Sequence, residues 1–151
     1  MTLGPPETII IAHDDYHASH VGRTKDGRQF FATNPFIPAS HTDAGREFLA
    51  LYLFDARGSL LEARIDDLGP RASLDEDAAR QALERRMAEL GPVEFCRIQV
   101  RPFELERFGT VFGLVPRPPD GDDEGDSWWV EAQPGNFMAF HEPWDSGEYD
   151  T

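Results

Sequence analysis

The chain has 151 residues, 40% of them hydrophobic, and a formal net charge of −14. That length predicts one domain able to bury a sizeable core, and the acidity speaks against duplex or single-stranded nucleic acid, whose binding needs cations that displace counterions. No stretch is long and apolar enough to predict a membrane span, the start MTLGPPETIII lacks a basic leader region, and the lone cysteine, Cys96, allows no internal disulfide, so a cytoplasmic setting is expected.

In chain order, residues 7–12 contain Ile9, Ile10 and Ile11 and predict a first β-strand. Residues 19–24 and 28–33 flank Lys25, Asp26 and Gly27, and an Asp-Gly pair between two strand-like runs predicts a hairpin. Residues 34–45 hold Pro35 and Pro38 among small polar residues and read as loop. Residues 48–54, FLALYLF, are apolar at every position, which predicts a central strand covered on both faces. After a turn at residues 55–58, Leu61, Ala63 and Ile65 alternate with Glu62, Arg64 and Asp66, as in a strand with one buried face.

The one strong helix signal spans about residues 74–90. Ser73 and Glu76 have the form of a capping box. Asp75, Glu76 and Asp77 place negative charge at the positive end of the helix dipole. Ala79, Leu83, Met87 and Leu90 form an apolar stripe, and Gly91 followed by Pro92 ends the helix. Beyond it, residues 93–101 alternate as one strand that carries Cys96, Ile98 and Val100 on one face, and Pro102 closes it. Residues 103–107 have no clear pattern, and residues 108–115 read as a strand with Gly109 and Gly113 as bulges. Residues 116–127 form an acidic loop, and residues 128–133 and 136–141 a last hairpin around Pro134 and Gly135. Residues 142–151 form a tail.

Short turns between neighbouring strands imply antiparallel pairing. The expected architecture is a single α+β domain, a curved antiparallel sheet of about eight strands with the helix packed on one face.

Charge is uneven along the chain. Residues 118–151 hold ten acidic residues and no Lys or Arg. Within them, Trp128, Trp129 and Trp144 follow the loop acids Asp120, Asp122, Asp123, Glu124 and Asp126 and lie among Glu131, Glu142, Asp145, Glu148 and Asp150. Adjacent Trp128 and Trp129 on one strand must point to opposite faces. Either one anchors a partner, as exposed Trp often does, or the tail folds back over it with Trp144 as its plug. A basic protein is the natural complement of such a surface.

Two metal sites compete with this reading. His13, His17 and His20, with Asp14 and Asp15 between them, are suitable donors for zinc or another transition metal, although their spacing matches no established motif. Asp120, Asp122, Glu124, Gly125, Asp126 and Glu131 fall at the ligand spacing of a calcium loop, yet Pro116, Pro118 and Pro119 remove the entering helix. No nucleophile elbow, phosphate loop or triad signature is present, and Cys96 reads as a small core residue.

Two segments, HDDYHASHVGRTKDGRQFFA (residues 13–32) and HEPWDSGEYDT (residues 141–151), resemble small bacterial proteins labelled formate-hydrogenlyase-regulatory-protein-like. The resemblance covers about a fifth of the chain, implies a cytoplasmic regulatory role and carries over no catalytic residue. The combined expectation is a protein-binding module, such as an immunity or antitoxin-like inhibitor of a basic toxin or nuclease, or a regulatory protein. The alternative is a metal-binding enzyme or sensor.

Overall fold

The computed structural model describes residues 5–13, 20–38, 45–118, 128–134, 138–140, 144 and 147–149. In chain order, β1 (Ile9–Ile11) precedes the hairpin of β2 (Val21–Thr24) and β3 (Gln29–Thr33), the short β4 (Phe36–Ile37) and the long pair β5 (Arg46–Phe54) and β6 (Leu60–Gly69). A 3-10 turn leads into α1 (Glu76–Glu89). There follow β7 (Val93–Phe95), β8 (Ile98–Val100), β9 (Phe103–Arg107), β10 (Thr110–Arg117), β11 (Trp129–Gln133), β12 (Met138–Phe140) and β13 (Gly147–Tyr149).

The strands form three antiparallel sheets, not the single curved sheet of about eight strands that the sequence predicts. One is a two-stranded ribbon of β1 and β8; one is a five-stranded sheet in the order β13-β12-β11-β10-β9. The third has six strands, with β5 between β6 on one side and β3 and β4 on the other, continuing through β2 to β7. The ribbon separates from the six-stranded sheet at Cys96 and Arg97, where the expected single strand of residues 93–101 divides. Its first part, β7, pairs with β2, and its second part, β8, pairs with β1. Cys96 lies between them, half-buried, its N–H donating to the Val21 carbonyl. Pairings this distant in sequence leave no trace in turn chemistry.

β5 is the centre. Phe48 to Phe54 are all buried, as the apolar run predicts. Alternation sends Ala50, Tyr52 and Phe54 into one core and Leu51 and Leu53 into another. The first core is shared with Phe31, the ribbon residues Ile9, Ile11, Ile98 and Val100, and Leu114, Val130, Ala132 and Phe140 of the five-stranded sheet. The second joins Phe30 and Ala32 to Leu90, with Leu83 and Met87 of α1 packed against it. The layers are therefore helix, six-stranded sheet and five-stranded sheet.

Two ladder irregularities bracket β6. One makes Leu61 the extra residue, so that Leu60 joins Ala63 and Ile65 against the core and Leu61 is exposed. The strict alternation expected there holds only beyond Glu62. The helix cap also differs from expectation. Ser73 belongs to the 3-10 turn, and Asp75 is the N-cap, its carboxylate accepting from the Asp77 and Ala78 N–H groups. Arg86 forks onto both carboxylate oxygens of Asp66, at 2.9 and 3.0 Å, and so ties α1 to β6.

The expected β2–β3 hairpin is present, with Gly27 at φ +90° in its turn. The turn between β9 and β10 lies at Phe108 and Gly109, both at positive φ, where the sequence predicts the start of a strand with a bulge at Gly109, and residues 103–107, without a clear pattern, form β9. Residues 34–45, read as loop, contain β4 paired to β5. The last hairpin falls where Pro134 predicts it, and β13 adds the tail residues Gly147–Tyr149 to its edge.

Gln29 joins two sheets. Its buried amide accepts from the Gln99 N–H at 2.8 Å and donates to the Gln99 and Asp55 carbonyls at 2.9 and 3.1 Å. Gln29→Leu strands these backbone groups without a partner, an expected loss of about 2–4 kcal/mol. Urea unfolding of the purified variant measures it, and a loss below about 1 kcal/mol would show that the amide is dispensable.

Candidate functional site

Two surfaces collect the chemistry. The first is the far side of the five-stranded sheet. Strand register places Glu104, Glu106, Val111, Gln133, Glu131, Arg117 and Trp129 on this face, opposite the core residues Phe112, Leu114 and Val130. Glu104, Glu106 and Val111 are exposed. Glu131 organises the rest. It accepts from the Trp129 indole N–H at 2.8 Å, from the Arg117 guanidinium at 3.0 Å and from the Gln133 amide at 2.9 Å. Burial pushes its carboxyl up, but these donors outweigh that and hold it below the ordinary glutamate value.

Trp129 opens β11 and Trp128 precedes it, so the two do not share a strand as expected. Both are half-buried. Trp144 packs against the main core, and its carbonyl accepts from the Ile10 N–H at 2.9 Å. This one tail residue is thus drawn in towards β1. Asp120, Asp122, Asp123, Glu124 and Asp126 lie outside the described residues. The one described member of the expected calcium loop, Glu131, has both oxygens engaged by side chains of its own face.

The second surface surrounds Phe95 on β7. His13 stacks on its ring at 5.7 Å between centroids, and His20 meets its edge at 6.0 Å. The structure thus brings two of the three candidate histidines together on an aromatic ring; His17 lies outside the described residues. Among the described residues, no group of three His, Cys, Asp or Glu side chains is placed to hold a metal ion. Phe95 was not among the expected site residues. Its role depends on β7 pairing with β2, which places Gly22 between Phe95 and Phe30 in one cross-strand row. The two rings close over that glycine at 6.2 Å.

With the geometry in hand, comparison with protein-family models, curated proteins and solved structures gives no match to this chain. The five-stranded face and the Phe95 surface therefore rest on their own chemistry. Among the described residues, no helix is long and apolar enough to cross a membrane.

Burial, reinforced by the charge of the neighbouring His13, holds the His20 imidazole below its ordinary value of 6.5. The unfolded chain then takes up this proton before the folded one does. The folded state is fully stable above pH 6.5 with respect to this group and loses stability as pH falls below that value towards the lowered one. Removing the imidazole in His20→Gln is expected to flatten the fall of Tm from about pH 7 to about pH 5. Thermal unfolding across that range checks it; parallel curves for the two proteins would contradict it.

Proposed function

We propose that this chain is a protein-binding module whose partner is a basic protein, docked on the acidic and aromatic face of the five-stranded sheet. The observation that carries this reading is that Glu104, Glu106 and Glu131 share one sheet face with Trp129, Glu131 next to the indole and Arg117 already paired to Glu131 at 3.0 Å. Negative charge around an indole offers steering and an anchor on one surface. Asp120, Asp122, Asp123, Glu124 and Asp126 fall in the sequence between β10 and β11, the two strands that carry Arg117, Trp129 and Glu131. Their carboxylates add to the same field.

A net charge of −14 favours a cationic partner over an anionic one. An immunity or antitoxin-like inhibitor of a basic toxin or nuclease is the sharper form of the proposal, and a regulatory protein that sequesters a basic target is its close relative. Both work in the cytoplasm in this reading. Neither needs a catalytic group.

The test begins with capture from the native cell using the whole chain as bait, followed by association kinetics with the purified partner. Neutralising Asp122, Asp123 and Asp126 together to Asn is expected to slow association about tenfold at low salt and to flatten its salt dependence. Trp129→Ala is expected to act on dissociation instead, because the ring is an anchor and not a steering charge. A partner that is itself acidic, or association rates unaffected by the neutralisation, would overturn the proposal.

A further inference from the structure

α1 packs over β5 and β6, and Val93 at the start of the edge strand β7 shares a core with Leu83 and Met87 of α1, while Phe95 at its other end is exposed. A groove of about 620 Å³ opens there. Leu83 and Met87 of α1 form one wall, Val93 and Phe95 of β7 the other, and His20 and Glu84 supply polar groups at the rim. The volume lies within the range of pockets that take small organic ligands, about 300–1,000 Å³.

The β7 side of the groove is aromatic. Phe95 is 48% exposed even though His13, His20 and Phe30 all contact its ring. Gly22 beneath it bears no side chain, and a Cβ there would meet the Glu94 carbonyl oxygen at 2.0 Å. The close approach of β2 and β7 that seats Phe95 beside Phe30 therefore requires glycine at position 22.

The sign of the ligand follows from the rim. Arg80 also borders the groove, its charge offset by an exposed pair with Asp77 at 2.6 Å on the helix surface. Glu84 has no ion pair among the described residues. An ammonium group beside Glu84 and over an aromatic face gains from both the carboxylate and the ring quadrupole. The field of a chain at −14 concentrates cations further.

We infer that this groove binds a small organic cation with a flat apolar body, the body lying on Phe95 and Met87 and the ammonium group at Glu84. The site is on the opposite side of the six-stranded sheet from the five-stranded sheet and does not depend on the basic-protein reading. Met87 suits a flat aromatic group, since its thioether packs favourably on rings.

The test uses two probes of the same shape and opposite charge, tryptamine and indole-3-propionate, titrated into the whole chain and followed by amide chemical shifts. Tryptamine is expected to saturate with a Kd below about 1 mM, with shifts confined to α1 and β7. Indole-3-propionate is expected to bind at least about fivefold more weakly. Glu84→Gln is expected to abolish the preference. Glu84 is exposed on the helix surface, so the variant should fold, and an unchanged Tm confirms it. Glu76→Gln makes the same change in net charge at the other end of α1 and is expected to leave the preference intact. Equal binding of the two probes, shifts scattered over the molecule, absence of saturation, or the same response to both substitutions would each overturn the inference.

Discussion

A strand with no solvent face dictates this architecture. The seven residues from Phe48 to Phe54 leave no side of β5 that water can cover. Each large side chain among them contributes about 1.5–3 kcal/mol only when something apolar meets it. On one face the partners are the ribbon and the five-stranded sheet; on the other they are α1 and the apolar residues of β3. The three layers exist because one strand has to be enclosed from both directions. Both candidate surfaces follow from that enclosure. The five-stranded sheet has a far side that no core claims and that is free to be acidic. The helix packs over β5 and β6 but leaves Phe95 of β7 exposed.

Much of the local structure is readable from the chain. The double-sided run at residues 48–54, the Asp26-Gly27 turn, the hairpin at Pro134 and the helix itself all carry short-range signals, and the structure contains each of them. What escapes is pairing across long separations. Ile9 opposite Val100 and Gly22 opposite Phe95 are set by the two cores and by no turn. One continuous alternation through Cys96 therefore hides a change of sheet. The cap at Asp75 shows competition at shorter range: Ser73 has the right spacing to Glu76, but Pro70 engages it in a 3-10 turn and the next acceptor takes over.

The candidate sites divide in the same way. Trp129 and Glu131 are adjacent enough in sequence to be grouped by eye, although their hydrogen bond is not. The indole donates to a carboxylate two residues along the strand, on the same face, because the strand period is two. His13 and His20 are grouped by sequence as metal donors; in the fold they are neighbours through an aromatic ring. Phe95 and Glu84 belong to elements that approach only once the sheet and helix are assembled. No motif joins them.

The long strand β6 has a further consequence. Among the described residues its only ladder partner is β5, so one of its flanks is an outer margin of the six-stranded sheet. Such a margin invites another chain to add on and begin a fibril. Here the two offsets confine the straight portion to Glu62 through Asp67, and four of those side chains are charged: Glu62, Arg64, Asp66 and Asp67. A strand added there would have to desolvate these ionised groups or break the pairs that Asp66 and Arg64 make with Arg86 and Glu89 of α1. The irregularities at Leu61 and Leu68 thus interrupt, at both ends, the ladder that an added strand would have to follow along this margin.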